Sequence, residues 1–229
     1  MAVIIPTGFL DRTVRIKYGN AAGSAVYVQF DDVRFLLTAA HLVQNLQAGD
    51  NIGIRFQQDW QMKKVVGIAF GEFDTDVAAL RMETQWGEGL TEQHMNGGLA
   101  LGGEIAYCGF PLDLEMHGLP GSLGWPKGFV KSGVFSGAVD RPGGGSEYLF
   151  DAINNVGFSG GPIFFGVAPN LSLAGIVSGY KYDTTAPVYQ RDPSGVMRAT
   201  ADYVVRPNSG FMIGTPIMFG KNAARSLLP

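Results

Sequence analysis

Over the first third of the chain, apolar and polar side chains alternate in short runs broken by Gly, Asn and Asp, and the apolar positions favour β-branched and aromatic residues. An extended chain points successive side chains to opposite faces, so each run predicts a strand with one face turned to a core. The runs lie at 13–18, 24–30, 33–38, 51–56, 61–70 and 77–82, and six strands make one small barrel. A second set of six lies at 103–110, 128–139, 148–152, 161–166, 173–182 and 202–206. The stretch 83–103 is Gly-rich and polar and reads as a connector, dividing the chain into an N-terminal unit, 1–93, and a C-terminal unit, 94–229. The tail after Ile217, with Ala223-Ala224-Arg225-Ser226-Leu227-Leu228, predicts a short terminal helix docked on the strands.

Composition supports the all-β reading. Thirty-three glycines and twelve prolines in 229 residues suit a turn-rich protein, and a 46% hydrophobic content is enough for a large core. A net charge of −3 gives no electrostatic reason to expect nucleic acid or an anionic membrane as partner, and neither is expected. Residues 152–180 carry no charge, yet Pro162, Pro169, Asn170 and the glycines among them predict buried strands and a turn rather than a membrane span. The single cysteine, Cys108, sits in the apolar run Ile105-Ala106-Tyr107-Cys108-Gly109-Phe110 and predicts a buried, inert thiol. Residues 1–6 lack the basic flank and the longer apolar run of a secretory signal, and with no internal disulfide to form the expected location is cytoplasmic.

Two segments carry chemistry: Thr38-Ala39-Ala40-His41 and, downstream, Gly157-Phe158-Ser159-Gly160-Gly161-Pro162. A serine hydroxyl is a weak nucleophile near neutral pH and needs an imidazole to take its proton and a carboxylate to orient that imidazole. A Gly-x-Ser-x-Gly run also describes the nucleophile elbow of α/β-hydrolases, whose histidine follows the serine. All three histidines here, His41, His94 and His117, precede Ser159. An Asp-His-Ser order could use Asp76 with His94 or His117, but both sit in polar connectors without small neighbours at a strand end. The order His, Asp, Ser remains. A zinc site from Cys108, His94 and His117 lacks ligand spacing, so neither metal nor cofactor is expected.

These segments resemble the trypsin-like (chymotrypsin-fold) serine peptidases, and more their bacterial, disulfide-free branch than the digestive enzymes. Gly23-Ser24-Ala25 and the run from Phe35 to His41 resemble the entry to the catalytic histidine. Asp76-Val77-Ala78-Ala79-Leu80 resembles the aspartate segment, Gly157 to Pro162 the nucleophile loop, and Gly175-Ile176-Val177-Ser178 the strand lining the substrate cleft. The resemblance implies two six-stranded antiparallel β-barrels, with His41 and Asp76 on the first and Ser159 on the second. It also implies an acyl-enzyme mechanism on protein or peptide substrates, with the amides of Gly157 and Ser159 as the oxyanion hole. Asp76 is favoured as the orienting carboxylate because it directly precedes the apolar run, with Asp74 as the alternative.

By the family pattern Ile153, six residues before Ser159, falls at the base of the specificity pocket, with Ser178 and Tyr180 along its wall. An apolar base with Tyr180 narrowing the entrance implies small to medium aliphatic side chains, and Asp151 is the acidic alternative nearby. Digestive relatives carry an aspartate where this chain has Phe158, so activation by an amino-terminal cut is not expected. A regulatory partner is left open. Two other functions remain: a catalytically silent binding module on the same fold and a small-ester hydrolase.

Overall fold

A computed structural model describes residues 3–117 and 124–229. The alternation in the first half becomes β1 (Thr13–Tyr18), β2 (Ala21–Phe30), β3 (Val33–Thr38), β4 (Asn51–Phe56), β5 (Asp59–Phe70) and β6 (Ala78–Met82). They form a closed antiparallel barrel in the order β1-β2-β3-β6-β5-β4. A short helix, α1 (Thr7–Leu10), precedes it.

The second barrel contains β7 (Glu104–Gly109), β8 (Phe129–Asp140), β9 (Ser146–Asp151), β10 (Pro162–Phe165) and β11 (Ser172–Tyr182). Two further strands, β12 (Ala186–Arg191) and β13 (Met197–Val205), pair only with each other as a separate hairpin. The sixth barrel strand is β14 (Asn208–Pro216), giving the closed order β10-β11-β14-β9-β8-β7. In both barrels the first strand pairs with the fourth and the third with the sixth, so one topology is used twice.

Residues 202–206, expected as the last strand of this barrel, therefore correct to the separate hairpin. The true closing strand escapes the pattern because Asn208-Ser209-Gly210 opens it and Gly214 interrupts it, residues that weaken a strand signal. Gly214 is needed where it stands: a Cβ there would lie 2.5 Å from Ile163 Cδ1 and 3.0 Å from Phe150 Cε2, in the barrel interior.

Three apolar cores result. Ala25, Tyr27, Leu36, Ile54 and Leu80 fill the first barrel, and Tyr107, Phe150, Phe158, Ile163 and Val177 fill the second. The opposite faces of the same strands make the third. Val26, Val28, Phe35 and Leu37 meet Cys108, Phe164 and Ile176 between the barrels. This is why β3 reads as the unbroken apolar run Phe35-Leu36-Leu37: both of its faces are buried. Helix α2 (Ile217–Arg225) seals this third core with Ile217, Phe219, Ala223 and Ala224.

Ser24 fastens the barrels by polar contacts. Its N–H donates to Ser159 O (2.8 Å), its hydroxyl donates to Gly157 O (2.8 Å), and the hydroxyl accepts from Phe110 N–H (3.1 Å). Ser24→Ala leaves a buried carbonyl and a buried amide without partners, each costing about 1–3 kcal/mol. A loss of about 2–5 kcal/mol in urea unfolding is the expected outcome, and a change below about 0.5 kcal/mol would contradict the fastening role.

Candidate active site

Strand register brings His41 and Asp76 together. β3 and β6 are antiparallel with Thr38 opposite Ala78, so the residues just after β3 and just before β6 meet at one barrel end. After β3 the chain turns through the short 3-10 helix Ala40–Leu42, with buried Ala39 leaving room for the ring. His41 Nδ1 lies 2.8 Å from Asp76 Oδ2, and the His41 N–H donates to Asp76 Oδ1 at 2.9 Å. A carboxylate can only accept, so Nδ1 carries the proton and Nε2 is left as a base. The Asp76 carbonyl in turn accepts from Thr215 Oγ1 (3.3 Å), whose hydroxyl is 2.7 Å from Ser178 Oγ. Asp74 lies in the turn Glu72–Asp74, and its carbonyl accepts from Arg141.

Ser159 is half-buried on the loop before β10, next to this end of the first barrel. Gly160, with φ of 83°, packs so closely that a Cβ would stand 1.9 Å from Ser24 O and 2.3 Å from Thr38 Oγ1, at the end of the strand that leads to His41. Gly161 abuts Cys108 O and Gly157 abuts Phe110 O, at 2.1 and 2.2 Å from their ideal Cβ positions. Only glycine fits these three places.

The loop amides fall into two sets. Phe158 N–H donates to Asn155 O (3.2 Å), Gly160 N–H to Val177 O (2.8 Å) and Gly161 N–H to Phe158 O (2.8 Å). The N–H groups of Gly157 and Ser159 have no acceptor among the described residues. Two such donors, one on the serine itself and one two residues before it, are an arrangement suited to an oxygen that gains negative charge. Phe158 itself is fully buried, its ring edge-on to Tyr107 at 5.0 Å, so its side chain serves the barrel core.

One pocket residue, Ile153, is placed differently from expectation. The Ile153 side chain is 62% exposed and forms no buried apolar base; the buried side chain of this segment is Asn154, 2% exposed. Asn154 Nδ2 donates to Gly179 O (3.0 Å), tying the segment to β11, and Asn208 Nδ2 donates to Asn154 O (2.9 Å). Ser178 Oγ is engaged with Thr215, and Tyr180 is half-buried with its ring against Tyr182.

His94 and His117 stand apart from this pair. Thr91 N–H donates to His94 Nδ1 (3.2 Å), and burial lowers the His94 pKa. His117 Nε2 lies 3.2 Å from Glu115 Oε1. Among the described residues no three His, Cys, Asp or Glu side chains gather as a metal site, and no helix is long and apolar enough to cross a membrane.

Comparison with solved structures gives the same double barrel. The Rv3671c protease in its inactive form matches with a TM-score of 0.62 at 14% identity over 100% of both chains. An inactive-form mutant of Rv3671c from M. tuberculosis H37Rv matches with 0.61 at 14% identity, over 100% of this chain and 98% of that one. The HtrA-type protease AlgW with a tripeptide matches with 0.62 at 19% identity, over 96% of this chain and 61% of that one. Comparison with protein-family models and with curated proteins finds no match. The chain therefore has the chymotrypsin-type fold of these proteases.

Cys108 is fully buried beside Thr13 Oγ1, and burial pushes its thiol up to about 12. At pH 8 it is a thiol, not a thiolate, so iodoacetamide is expected to leave the native protein unmodified and to label one site after denaturation. Rapid native labelling would show that the thiol is reached.

Proposed function

We propose that this chain is a serine endopeptidase that cleaves peptide bonds through an acyl-enzyme, with Ser159 as nucleophile, His41 as base and Asp76 as the orienting carboxylate. The observation that carries the reading is the two-point grip of Asp76 on His41, at the ring and at the backbone. That grip engages Nδ1 and leaves Nε2 to take the Ser159 proton, and the Ser159 loop offers two N–H groups with no acceptor among the described residues. The Ser159 hydroxyl has no hydrogen-bond partner among the described residues, and in this reading its bond to Nε2 forms when substrate docks. The scissile carbonyl then lies against the Gly157 and Ser159 amides, which stabilise the oxyanion, and the protonated imidazole returns its proton to the leaving amine.

Phe158 supports activity without an amino-terminal cut, because its buried ring leaves no carboxylate for a new terminus to pair with. Asn154, uncharged and buried in place of Ile153, supports cleavage after uncharged side chains of small to medium size, with Tyr180 narrowing the approach. An incoming Lys or Arg finds no buried carboxylate in this segment to offset its desolvation.

Ser159→Ala and His41→Ala are expected to lower turnover by on the order of 10⁴–10⁶-fold without unfolding the protein, the size seen for triads in other serine peptidases. Asp76→Asn is expected to lose far more activity than Asp74→Asn. A fluorophosphonate probe should label the uncut chain at Ser159; failure to label would favour a silent binding module. Turnover of esters but not of a peptide library would instead favour an ester hydrolase. In the same library, dominant cutting after Lys or Arg would overturn the uncharged pocket and point to Asp151.

A further inference from the structure

The free N–H of Gly157 belongs to the peptide that joins it to Val156. In a trans peptide the carbonyl and the N–H point in opposite directions, so whatever holds the Val156 carbonyl also aims the Gly157 N–H. That carbonyl accepts from Leu112 N–H at 2.9 Å. Val156 is 69% exposed and Gly157 has no side chain, so side-chain packing does not fix this peptide plane.

Leu112 is held in an unfavourable conformation. Leu112 (φ 51°) and Asp113 (φ 62°) are consecutive non-glycine residues in the left-handed region, which is strained for both. Leu112 is 65% exposed, so burial of its side chain does not offset that strain. The compensation comes from the first barrel. Arg15 donates to Asp113 O (3.3 Å), pairs with the Asp113 carboxylate and reaches Glu115 Oε2 (3.3 Å). Arg55 grips Glu115 through Nε (3.0 and 3.1 Å) and Nη2 (2.9 Å).

The Arg15 and Glu115 side chains are 9% and 10% exposed, and both guanidiniums sit over Trp60, at 5.3 and 5.6 Å from its centroid. Burial raises the Glu115 pKa, and the two arginines outweigh it and leave the carboxyl below its usual range. Arg15, Leu112, Asp113, Val156 and Gly157 line one cleft of about 200 Å³, so the ion cluster and the free amide share a wall.

We infer that Arg15 and Glu115 are positioning residues for the oxyanion hole: they hold Leu112 where its N–H sets the Val156–Gly157 peptide. The inference rests on the reading of Gly157 as an oxyanion donor. Its consequence is that the first barrel supplies the base and also controls the anion-binding loop of the second.

Arg15→Met keeps an unbranched stem against Trp60 and removes the charged fork; Glu115→Gln is nearly isosteric. In the full chain each is expected to lower kcat by on the order of 10–100-fold with KM within about twofold, less than the ~10²–10³-fold loss of a deleted oxyanion donor. Amide hydrogen exchange is expected to quicken together at residues 110–114 and 155–158, and less in the barrel strands. Quickening confined to 110–114, or an unchanged kcat in both variants of an active protein, would overturn the inference. If Arg15→Met fails to fold, Glu115→Gln decides. If the wild type does not react with fluorophosphonate at Ser159, the proposed peptidase function fails, and the exchange comparison alone then decides the lock.

Discussion

The contact on which the site depends is the junction at Ser24. Its backbone and hydroxyl make three hydrogen bonds to the second barrel, to Ser159, Gly157 and Phe110, while its carbonyl accepts from Thr38 Oγ1 at 2.8 Å. Ser24, Thr38, Gly157 and Phe110 are buried, where an unpaired donor or acceptor is costly, so the junction has one favourable geometry. It joins the carbonyl of the candidate nucleophile to the strand that leads into His41. Gly160 follows from it as well, since any side chain there would enter the space occupied by Ser24 O and Thr38.

That polar junction sits beside the apolar core between the barrels, and each needs the other. β2 and β3 use one face for the interior of the first barrel and the other for the seam with Phe164, Ile176 and helix α2. Apolar burial along the seam supplies a non-directional attraction that does not fix register. The hydrogen bonds of Ser24 are directional and supply it. Phe219, Ala223 and Ala224 of α2 extend the seam, which ties the last strand of the second barrel back to β3 and β6 of the first.

Legibility in the sequence follows the range of the interactions. The alternating strand at residues 13–18 and the apolar run at 33–38 were readable to the residue, and a terminal helix after Ile217 was readable in kind, though it ends at Arg225. Asp76 stood out from Asp74 by the apolar run after it, and the contact with His41 depends on a register that this run encodes. β14 was not readable, because its strand character comes from partners β11 and β9 and not from its own Asn, Ser and Gly. Ile153 against Asn154 was a matter of which neighbour turns inward, which a count from Ser159 cannot decide. The Arg15, Arg55 and Glu115 cluster joins residues far apart in sequence through side chains alone, and no local spacing announces it.

The nucleophile loop shows how a segment with few intrinsic preferences acquires one shape. Its glycines at 157 and 160 have φ of 100° and 83°, conformations open to glycine at little cost and closed to most side chains. Such a loop is floppy alone. Here Gly160 and Gly161 are bound by Val177 and Phe158 carbonyls, Gly157 and Ser159 offer their own carbonyls to Ser24, and the Val156 carbonyl is taken by Leu112. With every neighbouring peptide oriented, the two remaining N–H groups cannot turn away to find acceptors. Without an acceptor among the described residues, they offer the pair of positive dipole ends that the proposed oxyanion hole requires, the electrostatic condition under which an approaching carbonyl oxygen gains most as it becomes an anion.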